Sequence, residues 1–201
     1  DRNGAMISSI HPETNFLLNY NKNKAEKETI AEKVLEIINE GELIAFSGGS
    51  TTYMAAVALE DSSFQNLTII TNTVNIAQRL LESRKSFKII LTGGIPREGF
   101  YECAGSIAER VIRQFNIDKF FMGVNGISPE GGFSFFDLEE AEIARTFLSQ
   151  SKQTYVLADS SKFDSIKQIK VADFSEVTGV VSDHISPKYR ALFEENNLEV
   201  K

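Results

Sequence analysis

The sequence predicts an α/β fold in which a mostly parallel β-sheet is covered by helices on both faces. Short apolar runs typical of buried strands alternate along the chain with segments whose apolar residues recur at helical spacing. That alternation is typical of parallel sheets, because each crossover returns through a helix packed on the sheet. The 201 residues, of which 42% are hydrophobic and 24% charged, are enough to bury one full core. Because no repeat or linker-like stretch interrupts the pattern, we expect a single α/β domain.

Each predicted element follows from a local pattern. A helix is predicted over 24–40, because apolar residues such as Ile30 and Val34 recur on one face and Gly41 stands where a helix-ending glycine would. Strands are predicted at Leu43–Phe46, Leu67–Ile70, Phe87–Leu91, Lys119–Val124, Tyr155–Ala158 and Val177–Val181. Further helices are predicted at Thr52–Leu59, Val74–Leu81, Ile107–Phe115, Glu139–Leu148 and Tyr189–Glu195.

Charge and residue counts exclude several classes of function. The net charge is −7 and no basic block occurs, so this segment lacks the surface that neutralises nucleic-acid phosphates. The single cysteine, Cys103, excludes an internal disulfide and predicts a reducing, cytoplasmic location. With only His11 and His184, neither a Cys/His zinc site nor a Ser-His-Asp triad is supported, and we expect no metal and no cofactor. The apolar runs are too short to span a bilayer, so we expect no membrane partner.

The N-terminal residues 1–23 differ in composition from the rest of the chain. They are polar and contain several asparagines, without the periodicity of a core element. We therefore expect an irregular arm at 1–23 and place the folded domain at 24–201.

The loop after the first predicted strand is the most informative segment. Two glycines, Gly48 and Gly49, and three hydroxyl residues, Ser50, Thr51 and Thr52, directly precede a helical pattern. The first N–H groups of a helix lack partners and carry the positive end of its dipole, so this position predicts an anion site. The anion that we expect is a phosphate. The alternative is an ordinary helix capped by Ser or Thr after a turn.

Polar and glycine-rich loops follow the other predicted strands as well. Because the carboxyl ends of parallel strands meet at one edge of a sheet, we expect these loops to form a pocket there. Hydroxyl, amide, guanidinium and ammonium groups suit a small, polyhydroxylated anion better than a flat apolar cofactor. The residues are Thr71, Asn72, Thr73, Thr92, Gly93, Gly94, Arg97, Gly123, Asn125, Gly126, Asp159, Ser160, Ser161 and Lys162.

Each of these features also has a structural interpretation. Thr71-Asn72 could cap the next helix, and Gly93-Gly94 could form a plain turn. Asp137 and Glu140 fit a capping box, in which the cap side chain and the carboxylate three residues later bond reciprocally. Lys162 could be a solvated surface lysine. Their joint position at successive strand ends favours a pocket.

Nine blocks of residues carry a resemblance that covers nearly the whole chain. They are Asp1–Ala5, Ser47–Thr52, Thr71-Asn72, Thr92–Gly94, Gly105-Ser106, Asp118-Lys119, Gly123–Ile127, Asp137–Ala141 and Asp159–Phe163. In this order and spacing they resemble the C-terminal sensor domain of the DeoR family of bacterial transcriptional regulators. The resemblance implies a fold shared with ribose-5-phosphate isomerase and the CoA transferases, and the binding of a phosphorylated sugar effector. It also implies a winged helix-turn-helix that is missing from this chain, with 1–23 as its linker and operator DNA bound only through that domain.

The resemblance also assigns residues to the ligand. It implies that 49–52 cradle the phosphate, that Arg97 lies near the mouth of the pocket and that Lys162 reaches the ligand. Asn125 would meet the sugar hydroxyls, with Glu139 or Glu140 opposite. The whole ligand-binding set is Ser47, Gly48, Gly49, Ser50, Thr51, Thr52, Thr71, Asn72, Gly93, Gly94, Arg97, Asn125, Gly126, Glu139, Glu140 and Lys162.

This chain departs from the family pattern at three positions. Ser47 and Asn125 stand where the family often has Asp, and Phe136 stands where Pro is common. The loss of two carboxylates makes the pocket less acidic and favours an anionic ligand.

Two functions of different classes follow. The first is a ligand-sensing regulatory domain, in which effector binding alters the conformation or the subunit arrangement and thereby operator affinity. The alternative is a sugar-phosphate isomerase with Glu139 or Glu140 as base and Lys162 as electrostatic stabiliser, although Asn125 cannot exchange a proton as Asp would. A CoA transferase would need a nucleophilic glutamate. For the sensor we expect a homo-oligomer, a dimer or tetramer, with the aromatic run Phe133–Phe136 as core or subunit interface.

Overall fold

The computed structural model describes residues 16–201 and confirms the α/β architecture. Seven α-helices and twelve strands lie within these residues, and none of the helices is long and apolar enough to cross a membrane. The helices are α1 (Phe16–Asn21), α2 (Lys24–Leu35), α3 (Ser50–Ala58), α4 (Val74–Glu82), α5 (Ser106–Ile112), α6 (Leu138–Gln150) and α7 (Pro187–Glu195). The strands are β1 (Leu43–Phe46), β2 (Thr68–Thr71), β3 (Lys88–Leu91), β4 (Ile95–Pro96), β5 (Cys103–Ala104), β6 (Ile117–Gly123), β7 (Gly126–Ser128), β8 (Gly132–Phe135), β9 (Ser151–Leu157), β10 (Ile169–Ala172), β11 (Gly179–Val181) and β12 (Glu199–Val200).

Seven strands form one central sheet in the order β12-β11-β9-β6-β1-β2-β3, and every neighbouring pair in it is parallel. From β1 the chain first adds β2 and β3 on one side. It then crosses over to β6 and continues outward on the other side through β9, β11 and β12. The direction of winding therefore reverses between β1 and β6, which makes their shared carboxyl end the topological switch point of the sheet.

Both faces of the central sheet are buried, as the near-continuous apolar strands predict. Along β1, Ile44 and Phe46 face one core with residues of α2, α3 and α4, whereas Ala45 faces the other. That second core contains residues of α5, α6 and α7. Across the switch point, Phe46 stacks on Phe121 of β6 with ring centroids 5.2 Å apart. This pair holds the two strands in register directly beneath the loops that follow them.

Several elements differ from the sequence expectations. Helix α2 ends at Leu35, five residues before the predicted end, and a turn leads to Gly41, whose φ is 85°. The antiparallel sheet β10-β8-β7 and the pair β4-β5 were not predicted. Phe133 and Phe135 lie on β8 and are 0% and 1% exposed, so of the two roles expected for them, core or subunit interface, they have the first. Both fill the core between β8 and the helices, because every side chain of β8 is buried.

The N-terminal segment also differs from the irregular arm that its composition predicts. Residues 1–15 lie outside the described residues, but 16–21 form α1 and Phe16 is buried. The Phe16 ring lies edge-on to Tyr53 of α3 and to Tyr101, with centroid distances of 5.3 and 5.6 Å. Tyr20 contacts the same Tyr53 ring at 5.8 Å. Aromatic packing on α3, which sequence periodicity could not reveal, therefore fixes α1 to the domain.

Candidate functional site

The loops after β1 and β6 approach each other closely at the switch point. Strand β1 leads through Ser47, Gly48 and Gly49 into α3, and Gly49 has φ 115°, a conformation that side-chain-bearing residues rarely adopt. A Cβ on Gly123, at the end of β6, would lie 3.2 Å from the carbonyl oxygen of Gly48. Glycine at these positions therefore brings the start of α3 against the end of β6.

A small polar cavity of about 70 Å³ lies over the N-terminus of α3. Its wall includes 48–52, together with Lys27 from α2 and Lys162 from the segment after β9. The first N–H groups of a helix and its dipole favour negative charge, and two ammonium groups strengthen that preference. The predicted anion loop and Lys162 therefore do meet, and Lys27 joins them.

Lys27 is only 4% exposed, which is unusual for a lysine. Its ammonium group donates hydrogen bonds to the carbonyl oxygens of Asn19 and Lys22. Burial lowers the pKa of Lys27 to about 8; the carboxylate of Asp159 opposes this shift and the charge of Lys162 adds to it. An anion bound in the cavity would raise the pKa of Lys27 again and so stabilise its charged form.

The end of α1 closes one side of the small cavity. The hydroxyl of Ser50 donates to the carbonyl oxygen of Asn19 at 3.3 Å. Just after α1, the Asn23 amide donates to Asp159 at 3.0 Å and to Ser161 at 3.2 Å. Two groups that would bind a phosphate, the Lys27 ammonium and the Ser50 hydroxyl, are therefore bonded to backbone carbonyls at the end of α1.

A larger cavity of about 290 Å³ adjoins the first. The two share the wall residues Asn19, Gly49, Ser50, Asn125 and Glu140. The remaining wall combines aromatic rings with charged groups: Phe16, Arg97, Phe100, Glu102, Phe136, Asp137 and Gln168. The combined space is large enough for a small ligand with a phosphate at one end.

Arg97 is the centre of an ion-pair network on the wall of the larger cavity. One terminal nitrogen lies 3.0 Å from Glu102, and the other lies 3.2 Å from Asp137. Glu139 and Glu140 lie farther away, at 3.9 and 4.0 Å. The guanidinium group also lies over the Phe100 ring, 4.7 Å from its centroid. Arg97 therefore holds the carboxylates of two segments together.

Burial raises the pKa of two of these carboxyl groups. The pKa of Glu102 rises to about 7, although the positive charge of Arg97 opposes the shift. The pKa of Glu140 rises well above its usual range, first through burial and then through the negative charge of Glu102. Both shifts favour the protonated acid, because the single guanidinium does not fully compensate the burial of these carboxyl groups.

Nine of the sixteen predicted ligand-binding residues line these two cavities. Asn125 has a clear local role, since its side-chain oxygen accepts a hydrogen bond from the Phe136 N–H at 3.0 Å. The Glu140 side chain lies on the wall of both cavities, while its backbone N–H is capped by Asp137. The nine are Gly48, Gly49, Ser50, Thr51, Thr52, Arg97, Asn125, Glu140 and Lys162.

The other predicted residues do not line either cavity, because they hold neighbouring backbone in place. The Ser47 hydroxyl accepts from the Gly123 N–H at 3.2 Å, and that of Thr71 donates to the Phe46 carbonyl at 2.8 Å. The Asn72 amide donates to the Cys103 carbonyl at 2.9 Å. The backbone of Gly94 packs on β5 and α5, and that of Gly126 packs on Ser165. Gly93 lies in the turn after β3, with φ 65°, and Glu139 is 66% exposed at the rim.

Sequence reasoning missed several wall residues. Lys27 had a detectable signal, because it lies three and seven residues before Ile30 and Val34 and so shares their buried face of α2. Glu102 had none, since a lone Glu beside Cys103 is unremarkable in sequence. The other missed wall residues are Phe16, Asn19, Lys22, Asn23, Phe100, Phe136, Asp137 and Gln168. Gly123, Asp159 and Ser161, from the strand-end loops that we expected to form a pocket, do lie on the wall.

The structure also resolves the capping alternative at the start of α6. Asp137 is the cap, since its carboxylate accepts from the N–H groups of Glu139 at 2.9 Å and Glu140 at 3.1 Å. Within residues 16–201, no group of three or more His, Cys, Asp or Glu side chains is arranged to hold a metal ion.

Comparison with known proteins places these observations in a family. A family model described as the DeoR C-terminal sensor domain matches residues 22–184. The chain is 31% identical over 179 residues to the uncharacterized HTH-type transcriptional regulator FruR of Bacillus subtilis, covering 89% of this chain and 70% of that protein. It is 33% identical over 162 residues to the glycerol-3-phosphate regulon repressor of Escherichia coli, covering 81% and 63%. It is 28% identical over 166 residues to the L-fucose operon activator of Haemophilus influenzae, covering 82% and 65%. The chain thus spans 63–70% of the length of these relatives.

Solved structures support the predicted fold. Ribose 5-phosphate isomerase A from Neisseria gonorrhoeae has a TM-score of 0.51 at 17% identity, covering 69% of this chain and 53% of that one. The delta subunit of eIF2B from Chaetomium thermophilum has a TM-score of 0.56 at 14% identity, covering 85% and 60%. At such identities the likeness establishes the fold alone.

Proposed function

Because this chain belongs to the family of DeoR C-terminal sensor domains, we propose that its two adjoining cavities bind a phosphorylated sugar effector. The family and its curated members are transcriptional regulators, so the chain is a sensor domain and not an isomerase, although it shares the isomerase fold. The observation that carries the proposal is the meeting of Lys27, Lys162 and the α3 N-terminus around one small polar cavity.

The phosphate occupies the smaller cavity in this proposal. There the N–H groups of 50–52 and the hydroxyls of Ser50 and Thr51 supply hydrogen bonds, and Lys27 and Lys162 supply charge. The sugar extends into the larger cavity, where Asn125 and Glu140 offer polar groups to its hydroxyls. Phe100 and Phe136 supply apolar surface for the carbon skeleton.

A route by which binding reaches the N-terminal side of the domain follows from the contacts of α1. A phosphate dianion competes with the carbonyl oxygens of Asn19 and Lys22 for the Lys27 ammonium, and with Asn19 for the Ser50 hydroxyl. Those carbonyl oxygens would then lose their hydrogen bonds from Lys27 and Ser50 and would lie next to the negative charge of the phosphate. Effector binding therefore favours a state in which the end of α1 moves away from α3, and so shifts the equilibrium between two states.

We extend the proposal to the whole regulator. A winged helix-turn-helix ahead of this chain binds operator DNA, and the α1 displacement alters that binding. The regulator acts in the cytoplasm, where its operator lies, and assembles as a homo-oligomer, since a two-fold protein matches paired half-sites.

The effector class is tested by calorimetry with sugar phosphates and their unphosphorylated parents. We expect one or a few phosphorylated compounds to bind without turnover while the parents fail. Thr51→Val should weaken that binding roughly tenfold to a hundredfold, through the loss of one hydrogen bond to a charged oxygen (~1.5–3 kcal/mol). Thr29→Val, on the exposed face of α2, is the matched control and should leave affinity unchanged. Equal binding of sugars and sugar phosphates would contradict the proposal.

A further inference from the structure

Carboxyl groups outnumber cations on the wall of the larger cavity, and one of them, Glu140, also borders the small cavity of Lys27 and Lys162. Four carboxylates, those of Glu102, Asp137, Glu139 and Glu140, surround the single guanidinium of Arg97 at 3.0–4.0 Å. Arg97 and Glu102 are almost fully buried, with side chains 10% and 4% exposed. The two nearest carboxylates, from Glu102 and Asp137, engage both terminal nitrogens of the guanidinium. Arg97 is thus committed to carboxylates of its own chain.

The buried carboxylates lie close to the place where a bound phosphate would end. Glu140 is part of the wall of both cavities. Glu102 lies directly against the phosphate loop, because a Cβ on Gly48 would stand 1.9 Å from its Oε1. A ligand held by its phosphate at the α3 N-terminus therefore extends along a wall of hydrogen-bond acceptors.

Such a wall discriminates by charge. Carboxylates accept hydrogen bonds from hydroxyl or ammonium groups, but they repel a second phosphate or a carboxylate. Burial raises the pKa of Glu102 to about 7 and that of Glu140 well above its usual range, so an anionic group beside them meets either a carboxylate that repels it or one that must first be protonated. A second anionic group on the ligand would add to this repulsion in a poorly solvated space.

We propose that this site selects sugar monophosphates whose far end carries only hydroxyl or amino groups, and that Glu102 and Glu140 exclude ligands with a second anionic group. The inference rests on the proposed phosphosugar function and narrows its ligand class. Glu102 and Glu140 are specificity-determining residues in this proposal, and Arg97 is a positioning residue that holds them at the cavity.

The test compares singly and doubly anionic ligands of the same skeleton by calorimetry on the whole chain. The probes are fructose 1-phosphate, fructose 6-phosphate and fructose 1,6-bisphosphate, and glucose 6-phosphate with 6-phosphogluconate. We expect at least one monophosphate to bind and its doubly anionic counterpart to bind at least tenfold more weakly. Glu140→Gln, which keeps the shape and removes the charge, should narrow that ratio severalfold. Glu142→Gln, an exposed change on the same helix, should leave the ratio unchanged.

The outcomes separate this inference from the function on which it rests. If the bisphosphate binds as tightly as the monophosphate while fructose itself does not bind, the phosphosugar function stands and the charge selection is wrong. Tighter binding of the bisphosphate that is lost in Arg97→Gln would make Arg97 a phosphate ligand and also overturn the inference. A ratio unchanged in both Glu140→Gln and Glu102→Gln would remove these residues from any role in selectivity. If neither these probes nor any other sugar phosphate binds, the proposed function fails and this inference fails with it.

Discussion

Substitution of Gly48 by Ala should destabilise the domain through one identifiable side chain. A Cβ at this position would lie 1.9 Å from the carboxyl carbon and Oε1 of Glu102, so the carboxylate must leave its place. Its ion pair with Arg97, now at 3.0 Å, is then lost. Loss of one hydrogen bond between charged groups costs about 1.5–3 kcal/mol of unfolding free energy. In a domain of this size that corresponds to a fall in melting temperature of roughly 3–12 °C.

The same Gly48→Ala substitution in a Glu102→Ala protein tests whether the clash with Glu102 is the cause. In a Glu102→Ala protein the clash is absent, and Gly48 has no positive φ that would strain an alanine. There Gly48→Ala should be neutral or stabilising by about 0.4–1 kcal/mol, because it restricts the unfolded chain. Chemical denaturation of the parent protein, the two single variants and the double variant measures the coupling free energy between Gly48 and Glu102. An equal cost of Gly48→Ala in both backgrounds would show that the strain lies elsewhere.

Further predictions concern Lys27 and α1. Lys27→Met should weaken phosphosugar binding roughly tenfold to a hundredfold in calorimetry, through the loss of a charged donor, whereas the exposed Lys24→Met should not. Since the pKa of Lys27 is about 8 and a bound phosphate raises it, binding at pH 8 should take up a fraction of a proton, and affinity should fall above that pH. Titrations in buffers of different ionisation enthalpy measure this uptake, which should vanish in Lys27→Met. Amide hydrogen exchange of 17–23 should become faster when effector binds, and slower exchange would contradict displacement of α1.

The central sheet was predictable because its signals are local. Leu43–Phe46 was predicted with its observed bounds, since a short apolar run between a glycine and a polar loop has few other interpretations. The antiparallel sheet of β7, β8 and β10 was missed, because β8 pairs with a strand more than thirty residues away. The aromatic run Phe133–Phe136 does not alternate strictly between apolar and polar residues as a half-exposed strand would, and both faces of β8 are buried.

The candidate site was predictable in part, for a similar reason. The α3 N-terminus is recognisable in the sequence because glycines and hydroxyl residues stand next to each other there. Lys162 follows the end of a predicted strand. Thr71 and Asn72 lie at the end of β2, one strand away from the switch point, and their side chains bind neighbouring backbone instead. The order of strands, which the sequence does not state, decides which loops meet.

The sequence by itself determined the α/β class, the loop of glycines and hydroxyl residues at the start of α3 and the resemblance to DeoR sensors, because each depends on neighbouring residues or on ordered blocks. Only the tertiary structure decided that α1 folds back on α3, that Lys27 lies on the wall of the small polar cavity and that Glu102 lies against Gly48. The physical reason is that these contacts join segments far apart in the chain, and their side chains are buried by packing between whole elements. A local pattern fixes where a helix or strand forms, whereas the charged side chains that line a cavity are decided by how the helices and strands pack together.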